Sequence, residues 1–187
     1  MTKMHDLTTG SLAGHFLRLA VPAAIGMVFS TLYNVVDVFF AGLINTDAQA
    51  GLAISFQAFF VFVTIGFGLS SAMTALVGNA IGAKDTAEAS KTAMQGIGFA
   101  IVASALLIMI ALFLGPHLLA FISTEGAYRD AGTAYFTILL FSLPSFIMGY
   151  GLNGLLQARG DTVSMQYALI GAFFANIGLN PLMMFGI

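Results

Sequence analysis

Asp37 is the only formally charged side chain inside the five long apolar segments of this chain, and its neighbours are polar at helical spacing. Ser30, Asn34 and Asp37 follow one another at intervals of four and three, which puts them on one face of a helix. A carboxylate within a membrane span costs about 2.5–3.5 kcal/mol on insertion scales, so it marks a functional site before it marks anything else. Two further segments offer partners. One carries Ser142, Ser145, Gly149 and Asn153 along a face, with Tyr150 and Gln157 nearby; the other carries Asn176 and Asn180 one turn apart, directly before Pro181. Proline lacks an N–H, so Pro181 leaves the Ile177 carbonyl, and Pro144 the Leu140 carbonyl, without its usual helical donor. Such oxygens are tolerated at membrane depth only where neighbouring side chains, protein packing or a cavity satisfy them.

An acid surrounded by amides and free carbonyls supports two kinds of chemistry. A proton can neutralise Asp37, or its carboxylate can join Asn176, Asn180 and the Ile177 carbonyl as hard oxygen ligands for Na⁺, by analogy with other hard cations. In both cases loss of the charge changes which helix packing is cheaper. The bland alternative is that Asp37 only hydrogen-bonds Asn34 and Asn176 to fix packing, but interhelical polar contacts average about 0.6 kcal/mol in one measured membrane protein, too little to offset a buried ionised carboxylate.

The elements that must position these residues are membrane helices. Hydrophobic residues make up 59% of the 187 and charged residues 7%, against the roughly 25% charged of an ordinary soluble domain. About 20 apolar residues cross a bilayer as a helix, and the pattern predicts spans over 21–44, 52–80, 93–114, 134–157 and 163–186, after a cytoplasmic segment 1–20. Pro22 suits the first turn of the first span. The apolar stretches do not alternate as the strands of a barrel would. With the N-terminus inside, Lys3, Arg18, Lys84, Lys91 and Arg159 fall on the cytoplasmic side and only Arg129 outside, the asymmetry expected of an inner (plasma) membrane protein. An odd span count ending in Met183-Met184-Phe185-Gly186-Ile187 suggests that partner helices lie beyond this chain.

Small residues recur every four positions in two spans: Gly66, Ser70, Thr74, Gly78 and Gly82, then Thr92, Gly96, Ala100 and Ser104. Such seams let backbones approach closely in lipid, for plain packing or as surfaces that slide when a bundle changes shape. The net charge of −2 and absence of basic runs leave no footprint for nucleic acid. With no cysteine, and with His5, His15 and His117 near or outside span ends, neither a thiolate metal site nor a buried catalytic histidine is available. No cofactor is expected beyond a coupling ion.

Five motifs in order resemble the first five helices of a multidrug and toxic compound extrusion (MATE) transporter. They are Ala20-Val21-Pro22, the run Tyr33 to Gly42 containing Asn34 and Asp37, Gly78 to Asp85, Gln157-Ala158-Arg159-Gly160-Asp161-Thr162, and Asn176 to Gly186. The resemblance implies an all-α, polytopic transmembrane bundle: five helices of the six-helix amino-terminal lobe of a twelve-helix exporter, with the carboxy-terminal half as missing partner. It implies an H⁺- or Na⁺-coupled antiporter for small organic, often cationic, compounds. A first-helix Asp, a fourth-helix Asn and two polar fifth-helix residues line the amino-terminal cavity of such proteins. Those roles pass to Asp37, Asn153, Asn176 and Asn180, with Asn34, Tyr150 and Gln157 as further cavity residues and Asp37, Asn176 and Asn180 as the possible Na⁺ set. Some members carry Asp where this chain has Asn180, so coupling here should rest more heavily on Asp37.

Three other functions compete. A lipid-linked oligosaccharide flippase of the same broad superfamily would need cations in its cavity to hold pyrophosphate, and none of the six Lys or Arg lies within a predicted span. An intramembrane enzyme would need a His, Cys or second carboxylate beside Asp37. A noncatalytic membrane scaffold would lose little on replacement of that acid.

Overall fold

A computed structural model of the chain describes residues 11–186. Lys3, His5 and the first ten residues of the expected cytoplasmic segment lie outside the described residues. Six helices follow in order: α1 (Leu12–Ile44), α2 (Thr46–Gly82), α3 (Thr86–Ile122), α4 (Ala127–Leu140), α5 (Leu143–Ala158) and α6 (Ser164–Phe185). The described residues group into two compact units, Ala41–Ala158 and a second that joins residues 11–40 with 159–186.

The helices stop where the local chemistry stops them. Asn45 caps α2 by accepting from the Ala48 N–H at 2.7 Å, and Asp85 caps α3 by accepting from Glu88 N–H at 2.9 Å. Lys84, with φ of 60°, adopts the left-handed turn that closes α2, and the Lys84 and Asp85 N–H groups donate to the carbonyls of Ile81 and Ala80. After α5, Gly160 takes φ of 75°, and Asp161 accepts from the N–H groups of Val163 and Ser164 to open α6. At the α3–α4 turn Arg129 donates from Nε to Ser123 Oγ at 3.1 Å and from its guanidinium to the Ser123 carbonyl, capping the end of α3. Pro22 is not in a first turn as its position suggested: α1 begins at Leu12, so the proline sits in the helix interior.

The expected single span 134–157 is broken. It forms α4 and α5, bent by 54°. Pro144 is the cause, because it removes the donor for Leu140 and its ring crowds that carbonyl. The Phe141 and Ser142 N–H groups turn tightly onto Ile138 and Leu139, Ser142 Oγ adds a 2.6 Å bond to the Leu139 carbonyl, and the Ser145 and Phe146 N–H groups restart the helix on Ser142. At about 1.5 Å per residue, α4 and α5 each fall short of a bilayer core of about 30 Å. The contacts of α1 with α6 settle how to count them. Gly26 meets Gln166, Phe29 meets Phe173 edge to face, Asp37 bonds Asn176 and Asn180, and Phe40 meets Phe185. Contact positions rise together along both helices, so α1 and α6 run parallel. Parallel helices need an odd number of crossings between them, which makes the bent pair one broken span rather than two spans or a re-entrant loop. The chain is a five-span polytopic helix bundle.

Within Ala41–Ala158, α2 is the hub, packing on α3, α4 and α5. The core gathers Phe59, Phe62, Leu107, Leu119, Phe136, Leu140, Leu143 and Ile147. Large apolar side chains such as Phe113, Phe121 and Phe141 instead point outward, as lipid-facing residues do. Lipid tails supply no hydrophobic drive between helices, so close van der Waals approach carries the association. The α2 seam provides it: Gly66 lies under Tyr150 and Ile147, Ser70 and Thr74 lie against Gly154, and Gly78 meets Ala158. On α3, Gly96 receives Met73, with Ala100 and Ser104 buried. At the crossing of α2 with α4, Gly51 and Gly132 touch, and the fully buried Ser55 Oγ lies 2.6 Å from the Gly51 carbonyl and 2.7 Å from that of Gly132.

A Cβ on Gly154 would stand 2.4 Å from the Ser70 carbonyl oxygen, whereas one on Gly98 would meet nothing within 4 Å. Gly154→Ala should therefore destabilise the bundle by about 1–3 kcal/mol, and Gly98→Ala should be neutral or slightly stabilising. Thermal melts in detergent check this; equal Tm values for the two variants would contradict the α2–α5 packing described.

Candidate functional site

The unit built from α1 and α6 contains the acid. Asp37 is half-buried, and its Oδ1 accepts two hydrogen bonds from α6: from Asn176 Nδ2 at 2.7 Å and from Asn180 Nδ2 at 3.0 Å. The pairing follows from periodicity, since two amides one helical turn apart present their side chains to the same point on a neighbouring helix. It also follows from chemistry, because an ionised carboxylate only accepts and an amide NH₂ donates. Aromatic contacts flank the pairing, with Phe29 on Phe173 at 5.4 Å toward one end and Phe40 on Phe185 at 6.5 Å toward the other.

One atom of this cluster is unsatisfied. Asn176 is 8% exposed, and its Oδ1 is buried with no hydrogen-bond partner among the described residues. Asp37 Oδ2 likewise receives no hydrogen bond from them. A buried amide oxygen left bare costs about 1–3 kcal/mol, and Asn176 Oδ1 is therefore free to accept from a donor or to ligate a cation. The donor set suits either a proton or a hard monovalent cation. It does not suit a transition metal, for no cluster of three His, Cys, Asp or Glu exists among the described residues. The α6 helix continues through Pro181 to Phe185, so the proline does not end it.

Asn34 is not part of this cluster. Its Nδ2 donates to the Ser30 carbonyl at 2.8 Å and the side chain is exposed, so the packing role in which it would bond Asp37 is absent. Tyr150, Asn153 and Gln157 belong to the other unit. There they line one side of a groove of about 550 Å³ whose opposite wall is α2, through Phe67, Ser70, Ser71 and Thr74. Asn153 is half-buried and Gln157 exposed. The α2 contribution was not anticipated from the sequence, where Ser70 and Thr74 stood as part of a small-residue seam for packing or for sliding between helices. A signal was present in Phe67, Ser71 and Thr74, which stand at helical spacing beside the glycine seam.

The MatE family model matches residues 22–182. The protein named "Probable multidrug resistance protein NorM" from Streptococcus pneumoniae is 26% identical over 171 residues, covering 91% of this chain and 38% of its own length. "Multidrug export protein MepA" of Staphylococcus saprophyticus is 19% identical over 173 residues, with 91% and 38% covered. Among solved structures, a MOP superfamily transporter from Pyrococcus furiosus superposes with a TM-score of 0.88 at 23% identity, over 99% of this chain and 41% of that one. A multidrug resistance MATE family transporter in an outward-facing conformation gives 0.84 at 22% identity, over 92% and 38%. The chain thus spans about two fifths of the length of the relatives it matches. With five spans in this arrangement and the family pattern running through nearly all of them, the chain belongs to the MatE family, corresponding to the amino-terminal part of its members.

Proposed function

We propose that this chain supplies the ion-coupling lobe of an antiporter that expels small organic, often cationic, compounds across the plasma membrane as H⁺ or Na⁺ moves inward. The observation that carries the reading is the Asp37 cluster: a half-buried carboxylate held by two α6 amides, beside the bare, buried Asn176 Oδ1. That is a place where one positive charge can enter and leave. The names of relatives support the cargo, since the two proteins from Streptococcus and Staphylococcus are named for multidrug resistance and multidrug export.

In this reading the coupling ion arrives from outside and neutralises Asp37. The two amides then lose their charged acceptor, a charge-assisted bond roughly twice as strong as a neutral one, and the contact of α1 with α6 becomes cheaper to rearrange. A ligand drives such a cycle only through unequal affinity for two states, and the charged and neutral forms of Asp37 provide the inequality. Drug binding from the cytoplasmic side or release of the ion there resets it. Orientation follows the basic residues: Lys84, Lys91 and Arg159 sit at the α2–α3 and α5–α6 ends assigned to the cytoplasm, and Arg129 at the α3–α4 turn assigned to the outside. Nothing here favours the flippase reading, since no Lys or Arg among the described residues bonds Asp37 or lines the α2–α5 groove.

Asp37→Asn in the full-length protein should abolish gradient-driven efflux of ethidium from cells or proteoliposomes; efflux at the parent rate rules the mechanism out. The same substitution separates the two ions. If H⁺ is coupled, adding ethidium to the parent protein in weakly buffered detergent solution should release protons, and Asp37→Asn should release none. If Na⁺ is coupled, the parent should bind ²²Na⁺ in competition with ethidium and the variant should not. A parent protein that does neither contradicts the reading.

A further inference from the structure

A second hollow, of about 570 Å³, lies on another side of α2, between α2 and α3 of the same unit. Its α2 wall runs from Ile65 to Leu76 and its α3 wall from Thr92 to Phe99. Gly68, Ala72 and Gly96 leave the space by withholding side-chain volume, and Met73 lies over Gly96 as the floor. At about 1.5 Å per residue the α2 wall is about 16 Å long, close to half of a hydrocarbon core of about 30 Å. No lining residue lies nearer the α3–α4 side than Ile65 or Phe99, and beyond them Phe59, Phe62 and Leu107 are buried in the core. The hollow is therefore one leaflet deep. A crossing helix from the rest of the protein would need a seat along the whole core, whereas a single acyl chain needs only this length.

The surroundings turn polar at the α2–α3 end. Thr92 and Gln95 line the hollow there. Asn79 stands three residues past Leu76 and Glu88 four before Thr92, so both continue the walls by helical spacing, and Lys91 is one turn before Gln95. The Asn79 and Gln95 side chains are exposed and make no hydrogen bond to another described residue. Asp85 is engaged in the α3 cap. Lys91 and Glu88 pair at 3.4 Å with 64% and 51% of their side chains accessible; such an exposed pair is worth about 0–1 kcal/mol, so both charges are available to a ligand. An apolar slot one leaflet deep that ends in one cation, one anion and two free amides matches, group for group, a zwitterionic phospholipid.

We propose that this slot holds a phospholipid of the leaflet at the α2–α3 end, with one acyl chain against Gly68, Ala72 and Gly96 and a headgroup that carries a primary ammonium, as phosphatidylethanolamine does. Lys91 meets the phosphate, the Asn79 and Gln95 amides add donors to it, and Glu88 accepts from the ammonium. A choline headgroup offers Glu88 no N–H, and a glycerol headgroup offers it no cation. The chain is no drier in the slot than in the bilayer, so the headgroup supplies the selectivity and the slot the position. The lipid is resident rather than cargo, and the inference stands apart from the transport reading, with which it shares only the assignment of this end to the cytoplasm.

Native mass spectrometry tests this on the delipidated full-length protein in detergent, titrated with phosphatidylethanolamine, phosphatidylcholine or phosphatidylglycerol of identical chains. The parent should bind its first phosphatidylethanolamine about three- to tenfold more tightly than either of the others. Glu88→Gln should lower phosphatidylethanolamine to the phosphatidylcholine level and leave phosphatidylcholine unmoved. Lys91→Gln should weaken all three, and Gly68→Leu, which fills the slot, should remove the first site for all three. A Cβ on Gly68 meets nothing within 4 Å and all three positions are exposed, so the variants keep the fold, which circular dichroism verifies. Equal affinities of the parent for the three lipids overturn the proposal, as does a headgroup preference that survives both Glu88→Gln and Lys91→Gln. A first site untouched by Gly68→Leu overturns it too, and is the outcome if a helix from elsewhere in the protein fills the slot.

Discussion

An ionised carboxylate cannot rest against lipid, and the unit containing α1 and α6 is arranged around that constraint. Hydrocarbon offers Asp37 no solvation, so its charge has to be met by donors from within the protein. Asn176 and Asn180 do so on a single oxygen, which ties α1 to α6 at the level where those amides stand. The arrangement also leaves work undone: Asn176 Oδ1 is buried with nothing to accept from among the described residues. The proposed exchange of an ion draws on that bare acceptor, because a site whose groups are all satisfied gains less free energy from binding.

The other unit solves a different problem, holding helices together in a solvent that does not push them together. Its answer is proximity. Glycines at the crossings of α2 with α4 and α5 let backbones touch, and Ser55 and Thr74 place their hydroxyls on carbonyls of the facing helix as well as of their own. Pro144 breaks the fourth span, and the two halves use the bend to bury Leu140, Leu143 and Ile147 against the same core. The face of α5 that carries Tyr150, Asn153 and Gln157 stays open beside α2, which is why polar groups persist next to the most closely packed helix of the chain.

Several of the motifs that carry the family resemblance prove to be punctuation. Lys84 and Asp85 end one helix and start the next, and Gly160 with Asp161 does the same between α5 and α6. Their recognition value came from turn chemistry, which is local and therefore readable in one dimension. The spans were readable for a similar reason, since bilayer thickness sets the length of apolar sequence. Asp37 stood out because a charge in such a stretch is expensive wherever the helix packs.

Composition and periodicity alone thus determined that the chain crosses a membrane as helices, which acid sits within it, and that Asn176 and Asn180 share a helical face. Contacts between distant segments decided the rest. Asn34 turned to its own helix at Ser30 rather than to Asp37, and Ser70 and Thr74, which the seam assigned to packing or sliding, also became part of a groove wall. Pro144 produced a broken span instead of a continuous one. Each depends on the rotation of one helix about its axis relative to another, set by side-chain fit across the interface, and the order of residues along a single helix holds no information about that angle.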